Sequence, residues 1–420
     1  MDIFQHINRV IAVIFFLCYA YQFCYLPLPW CKRRPCRREA VPHHFAVLIC
    51  ARNEAGVIAD LLDSIHAQTY NPDLITTFVL ADNCTDATAA VARQHGAAVY
   101  ERHDRHHIGK GYALQALLRH LQQDYPAGFD GYFVFDADNI LSPDYMVEMN
   151  RSFSQGHDII TSYRNSKNYG DNWISAGYAL WFLRESRYLN HARFLLGTSC
   201  AVSGTGFLFS RKILQEMGDW PFHLLVEDIE FSIHHILAGH QIAFCPTAVL
   251  YDEQPTSFRQ SWHQRSRWSR GYWQVFRRYG KRLLGGILRG QWACFDMTMA
   301  IMPAFLLTTV SLLSTAAIVA VQIAQGGSLL PAMRVISEML GGMYLTLFVL
   351  GAITTVSEWR YIRTTTVKKL AYTLTFPLFM FTYLPIAVAS LFCKAQWQPI
   401  RHQVCAAQLG KRCKEEALPF

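Results

Sequence analysis

The sequence predicts an α/β domain built on a mostly parallel sheet and held between membrane segments. Three observations predict it. Short apolar runs alternate with helix-patterned stretches between about residues 43 and 251, the pattern of parallel strands joined by crossover helices. Polar clusters follow directly after three of those runs, at the strand ends where such sheets bind ligands. Long uncharged stretches lie on both sides of this region and concentrate the 51% hydrophobic content at the two ends of the chain.

Residues 10–30 carry no charge over 21 positions, close to the ~20 apolar residues a helix needs to cross a bilayer. Lys32, Arg33, Arg34, Arg37 and Arg38 follow at once, and the positive-inside rule places that flank in the cytoplasm. A cleaved signal peptide is the rival reading. Pro27, Pro29 and Trp30 offer no small-residue cleavage site, so a retained anchor is expected over residues 1–42.

The α/β domain is expected over residues 43–255. Residues 45–50 suit a buried parallel strand. Residues 55–67 have helical spacing, with Ile58, Leu61, Leu62 and Ile65 on one face. A second strand is expected at 75–80, an alanine-rich helix at 86–95 and a third strand at 132–135. Arg52, Asn53 and Glu54 come after the first strand, and Asp82 to Asp86 after the second. An acid at a strand end accepts hydrogen bonds from a nucleobase or ribose, so Glu54 and Asp82 are candidate ligand contacts, with Arg52 beside them as a donor. Asn53, Thr85 and Asp86 equally suit helix N-caps.

Asp136 and Asp138 leave the third strand together. Two carboxylates there are costly unless a cation neutralises them. A divalent metal with hard oxygen ligands fits, bridging the phosphates of a nucleotide; an acidic turn is the alternative. Glu227 and Asp228 stand in apolar company, where burial raises a carboxylate toward the range of a general base. An acidic helix start is the plainer reading. Gly109, Lys110 and Gly111 form a basic loop able to meet phosphate. Gly204 and Gly206 would let an acceptor approach the backbone.

Between Glu253 and Asp296 stand nine Lys/Arg residues and no acid. No nucleic-acid motif accompanies this charge, so anionic lipid headgroups or phosphorylated ligands are the expected partners. On a helix Gln264, Arg267, Trp268 and Gly271 share one face. Arg267 can hold a diphosphate oxygen, Trp268 can stack on a sugar ring, and Gly271 leaves room for a close approach. Trp262, Trp268, Trp273, Phe276 and Tyr279 interleaved with arginines also suit an interfacial amphipathic helix, expected over 256–296.

Membrane segments are expected within 297–393, from uncharged stretches at 297–333, 339–357 and 370–393. Gly326, Gly327 and Pro331 mark a loop in the first. Glu338 and Glu358 flank the second. The third carries Pro377 and Pro385, which suit a kinked or re-entrant segment. Arg360, Arg363, Lys368 and Lys369 argue that the loop before it is cytoplasmic, and Lys394, Arg401, Lys411 and Arg412 argue the same for the tail, 394–420. The twelve cysteines form no repeated CxxC pair and are read as reduced and structural. His234 and His235 are adjacent on a helix and cannot face one ion together.

With these clusters in order, the chain resembles the family 2 inverting glycosyltransferases, and more narrowly the membrane synthases of hyaluronan, chitin, cellulose and poly-N-acetylglucosamine. The resemblance implies a GT-A (Rossmann-like) cytoplasmic domain in a multi-pass protein of the cell membrane. It implies that Glu54 and Asp82 hold the nucleotide base, normally uracil, with Lys110 nearby. Asp136 and Asp138 match the DxD that binds the diphosphate and Mg2+ or Mn2+. Asp228 matches the general base that ends a TED motif, with Val226 in place of its threonine. Gln264, Arg267 and Trp268 match the QxxRW motif bordering diphosphate and acceptor. The implied reaction is metal-dependent transfer, with inversion, from a UDP-sugar (UDP-GlcNAc or UDP-Glc) to a growing β-linked polysaccharide. The alternatives are single-sugar transfer to a lipid, or a membrane protein that binds sugar nucleotides or glycans without catalysis. At most four membrane segments are expected, fewer than polymer exporters usually carry, so a pore would need a homo-oligomer. Trp397 belongs to a tail segment similar to one that follows the last membrane helix of such synthases.

Overall fold

The computed structural model describes residues 2–31, 39–326 and 330–392. Lys32 to Arg38, Gly327 and the tail with Trp397 lie outside the described residues. Helices α1 (Asp2–Tyr19) and α2 (Tyr21–Tyr25) precede a single sheet of β1 (Phe45–Ala51), β2 (Ile75–Asp82), β3 (Ala98–Arg102), β4 (Gly131–Asp136), β5 (Ile140–Leu141), β6 (Ile159–Ser166), β7 (Phe207–Ser210) and β8 (Ile242–Asp252). Between the strands lie α3 (Ile58–His66), α4 (Thr88–Gln94), α5 (Lys110–Asp124), α6 (Tyr145–Ser154), α7 (Trp173–Arg184), α8 (His191–Leu195), α9 (Arg211–Met217) and α10 (Glu227–Leu237). After the sheet come α11 (Phe258–Leu288), α12 (Trp292–Ile301), α13 (Pro303–Ala324), α14 (Leu330–Ser357), α15 (Thr366–Phe381) and α16 (Tyr383–Phe392).

The strand order is β3-β2-β1-β4-β7-β6-β8-β5. The first four are mutually parallel, as expected. The sheet then becomes mixed: β7 runs antiparallel to both β4 and β6. Four residues are too few for β7 to show a period, so this reversal leaves little mark on the sequence.

Both faces of β1 are buried. Ala46 and Leu48 pack with Leu114, Leu117 and Leu118 of α5, while Phe45, Val47 and Ile49 pack with Ile58, Leu61, Leu62 and Ile65 of α3. Successive side chains on a strand point to opposite faces, so an unbroken apolar run must be covered twice.

The first uncharged stretch is not one continuous helix. α1 ends at Tyr19, and beyond the break Tyr21 and Tyr25 donate to the buried Asp296 on α12 at 2.7 and 3.0 Å. Arg193 of α8 donates to both oxygens of the same carboxylate, at 2.7 and 2.8 Å. The N-terminal segment is therefore tied to the α/β domain.

Three helical stretches are long and apolar enough to cross a membrane: Val13–Trp30, Ile336–Ser357 and Thr366–Phe392. α13 carries a shorter apolar stretch, Leu313–Ala324. Two expected boundaries change. Glu338 does not flank a segment but lies inside α14, where Arg334 pairs with it one turn earlier at 2.9 Å. Pro331 likewise falls in the first turn of α14, not in a loop. The last stretch is broken at Thr382, between α15 and α16. Pro385 has no N–H for the carbonyl of Phe381, which ends α15 there. Arg265 fills the gap, donating to the Phe379 carbonyl at 3.3 Å and to Thr382 Oγ1 at 2.6 Å. The loop between α14 and α15 docks on the α/β domain: Asn165 donates to the Tyr361 carbonyl at 3.0 Å and Arg363 to the Tyr251 hydroxyl at 3.0 Å.

Candidate active site

The loops after β1 and β2 are laced together. Asn53 and Asn83 both sit in the left-handed region, at φ 59° and 53°, which amide side chains tolerate better than most. Asn53 Oδ1 accepts from the Thr85 N–H at 2.7 Å, and the Glu54 N–H donates to Thr88 Oγ1 at 2.9 Å. The capping alternative is corrected for Asn53: the residue at the start of α3 is Val57, without a side-chain cap, because Asn53 is engaged by the neighbouring loop. Asp86 does reach the Thr88 N–H in the first turn of α4, at 3.0 Å. Asp82, buried at the end of β2, pairs with Arg102 at 2.6 Å. Arg102 also holds Asp104 at 3.1 Å. Neither partner was singled out in the sequence, because neither follows an apolar run.

Lys110 opens α5 and reaches back across the sheet. Its ammonium binds Asp136 and donates to the Gly204 carbonyl at 2.7 Å. Burial opposes this charge, but Asp136 and Glu227 more than offset it and hold the ammonium above its usual pKa. The Asp136 N–H donates to Thr205 Oγ1 at 2.9 Å. Asp138 is buried, and its Oδ2 accepts from the Glu253 N–H at 2.8 Å. Behind it Arg164 binds Asp252 at 2.6 Å. Burial, followed by Asp138 as a like charge, pushes the Asp252 carboxyl up while Arg164 opposes the shift. Among the described residues no three His, Cys, Asp or Glu side chains converge to hold a metal by themselves. Asp136 and Asp138 nevertheless fit a hard divalent cation: both acids line the cavity, and such ions commonly take their remaining ligands from phosphate and water.

Glu227 and Asp228 form the first turn of α10. Burial, then the neighbouring Asp228 charge, pushes Glu227 up to about 7; burial also raises Asp228, against its own helix-start N–H groups and Arg267. Asp228 lies opposite Gly204, where an added Cβ would stand 3.6 Å from its Oδ2. Arg267 of α11 donates to the Leu225 carbonyl at 2.8 Å and so fixes the approach to this turn. Trp268 meets Tyr178 and Phe182 edge-on, with ring centroids 5.8 and 6.2 Å away. Gln264 presents a buried Oε1 without a protein partner.

The close approach at Gly271 is to Val226, whose methyls would lie 2.7 Å from an added Cβ. Gly271→Ala is therefore expected to displace Val226 and the adjoining Glu227 and Asp228, with about 1–3 kcal/mol of overpacking and a severalfold loss of turnover. Thermal unfolding and turnover of Gly271→Ala, alone and with Val226→Ala, test this; no recovery in the double variant would refute it.

One cavity of about 1030 Å³ is lined by Arg52, Glu54, Asp82, Lys110, Asp136, Asp138, Gly204, Glu227, Asp228, Gln264, Arg267 and Trp268. Gly206 is the exception. It stands behind the wall, where its N–H donates to the Val134 carbonyl at 2.9 Å and an added Cβ would strike Leu250 and Ser162. It permits strand packing and does not meet an acceptor. Arg164, Glu185, Asp252, Glu253, Tyr272 and Tyr383 also line the cavity. Asp252 and Glu253 follow an apolar strand, the signal used for the other clusters. Glu185 and Tyr383 lie within apolar helical stretches and carry no such signal.

The stretch 256–296, expected to hold interfacial helices, contains α11 and the start of α12, and the basic residues of α11 and the turn after it divide. Arg265 is fully buried against Phe379 and Tyr383, its guanidinium 4.5 and 4.7 Å from their rings. Arg277, Lys281, Arg282 and Arg289 stay exposed beside Trp273, Leu284 and Leu288.

A family model described as "Glycosyltransferase like family 2" matches residues 42–271. The chain is 24% identical over 243 residues to a probable glycosyltransferase, YdaM, of Bacillus subtilis, covering 54% of each chain. It is 24% identical over 279 residues to a beta-monoglucosyldiacylglycerol synthase of Nostoc sp., covering 64% of this chain and 57% of that one. A poly-beta-1,6-N-acetyl-D-glucosamine synthase of Staphylococcus aureus matches at 24% over 237 residues, 55% of each chain. These matches span about half the length of each curated relative. Among solved structures, the mannosyltransferase PcManGT of Pyrobaculum calidifontis, in complex with GDP-Man and Mn2+, shares the fold. Its TM-score is 0.60 at 16% identity, over 93% of this chain and 99% of that one.

Proposed function

The chain belongs to the family 2 glycosyltransferases, and from that premise we propose that it transfers a hexose, with inversion, from a UDP-sugar to a hydroxyl acceptor at the cytoplasmic face of a membrane. One observation carries the reading. The acids suited to deprotonate an acceptor, Glu227 and Asp228, share a cavity with the acids suited to a diphosphate's cation, Asp136 and Asp138, and Lys110 and Gly204 link the two pairs. Glucose and N-acetylglucosamine, named in the products of two relatives, are the proposed sugars. The proposal keeps the division of the chain at 42/43, 255/256, 296/297 and 393/394.

In this mechanism Glu54 and Asp82 receive the base, with Arg52 beside them. Asp136 and Asp138 hold Mg2+ or Mn2+, which when bound neutralises the diphosphate. Arg267 and Lys110 add positive charge on the leaving-group side, and Trp268 and Gln264 border the sugar. Asp228 takes the proton of the acceptor hydroxyl as its oxygen bonds to the anomeric carbon. The bond from that carbon to the phosphate oxygen breaks on the opposite face, and UDP leaves.

A growing polysaccharide is the acceptor that the motif order suggests. A single-sugar lipid acceptor is favoured by one feature: helices α12, α15 and α16 contribute only uncharged side chains to the cavity, among them Ile301, Met380, Leu384 and Ala387. UDP release and product size, measured on the full chain with UDP-Glc or UDP-GlcNAc, test both levels. The expected result is turnover that falls at least ~100-fold with chelator and returns with Mn2+ or Mg2+, and a one-sugar product that enters organic solvent. A lengthening water-soluble product would reject the lipid acceptor. Folded protein that neither binds UDP nor turns over any UDP-sugar would reject the proposal as a whole.

A further inference from the structure

α7 does not end at Arg184 but runs into a π-helical stretch, Glu185–Asn190. Such wide turns are uncommon and recur at functional sites. Its first side chain, Glu185, lines the cavity. No hydrogen bond or ion pair joins its carboxylate to another described residue, although three guanidiniums are near enough to act on it. Each is committed elsewhere. Arg164 binds Asp252 at 2.6 Å and the Ser203 carbonyl at 2.8 Å, Arg193 grips Asp296 at 2.7 Å, and Arg184 donates to Gln22 at 2.6 Å. Glu185 thus keeps its oxygens for a ligand.

Its place in the cavity indicates which one. Asp228, Tyr272 and Glu185 line the same cavity, and the charges of both acids act on the Tyr272 phenol. One wall of that cavity comes from the uncharged side chains of α12, α15 and α16. We infer that Glu185 positions the acceptor by accepting a hydrogen bond from a hydroxyl, and that it restricts the acceptor to uncharged lipid alcohols. This rests on the lipid reading above. A carboxylate in a dry site binds hydroxyls strongly and repels a phosphate held in the same low-dielectric space. Helices α12, α15 and α16 bring no cation to this wall, and the guanidinium of Arg164, which also lines the cavity, is already paired with Asp252.

The test uses the full chain in mixed micelles with its UDP-sugar donor and, in separate reactions, dioleoylglycerol or dioleoylphosphatidylglycerol at equal mole fraction. Both lipids offer free hydroxyls; only the second is charged. The wild type is expected to favour dioleoylglycerol by about tenfold or more in kcat/KM. Glu185→Gln is expected to raise the KM for dioleoylglycerol roughly 10-fold, the scale of one hydrogen bond to a charged group. Its kcat should move less than threefold, and its preference for the neutral lipid should narrow. UDP binding reports whether the variant is folded. If it is not, Glu185→Asp serves, with the preference retained and KM raised. Labelled dioleoylglycerol with KM and preference unaltered in the folded variant overturns the inference and leaves the lipid reading standing. Equal use of the two lipids by the wild type does the same. UDP release with neither lipid labelled overturns both.

Discussion

Asp228→Asn is expected to lower kcat by about 10²–10⁴-fold, the usual contribution of a general base, with the KM for the UDP-sugar moving little. The amide keeps the shape of the side chain and its place at the start of α10, but it cannot take the acceptor's proton. Glu227→Gln should cost less, because it leaves the Asp228 carboxylate in place to take the proton. The same pair sets the pH response. Burial raises both carboxyls, Glu227 to about 7. The base works deprotonated, so raising its pKa moves the acid limb of the rate profile upward. kcat/KM should therefore fall as pH drops through neutrality, on a limb that belongs to the pair rather than to either residue. Stopped-assay UDP release from pH 5 to 9, for wild type and Glu227→Gln, measures it. Full activity maintained at pH 5 would remove these acids from the role.

The second large effect is on stability. Asp296 is fully buried and takes two bonds from Arg193 and one each from Tyr21 and Tyr25. Asp296→Ala leaves the Arg193 guanidinium, itself buried, without its counter-charge, and takes away the acceptor of two phenol O–H groups. Breaking a buried pair in this way costs about 3–5 kcal/mol. By contrast, the solvent-exposed pair Arg93–Glu101 should contribute little to stability. Asp296→Ala is thus expected to lower the thermal unfolding temperature in detergent sharply and to expose the segment after α1 to protease, while Glu101→Ala does neither. Replacing both charges, with Arg193→Met and Asp296→Leu, should recover much of the loss. Equal protease resistance of Asp296→Ala and wild type would show that the anchor does not depend on this junction.

The sequence by itself determined the parallel half of the sheet and the acids at its edge. β1, β4 and the second half of β2 are buried on both faces, so they appear as apolar runs. A run that stops at Asp82 or Asp136 marks the strand end where a ligand can reach. The face of α3 was equally legible, because Ile58, Leu61, Leu62 and Ile65 follow the pitch of a helix. All of these signals are local, carried by residues within a few turns or strand lengths of one another.

Only the tertiary structure decided the rest. Gly271 reads as room for a close approach, but what approaches is Val226, 45 residues earlier in the chain. Gly206 and Gly204 look alike in the sequence; the sheet turns one behind Leu250 and the other toward Asp228. Arg193 and Asp296 pair across 103 positions, and neither has a local pattern to announce it. Glu185 reaches the cavity from the start of a π-helical stretch, a placement the surrounding apolar helix does not foretell. Periodicity reports which face of an element is buried. What that face meets depends on contacts between distant segments, and those are settled only when helices and sheet pack together.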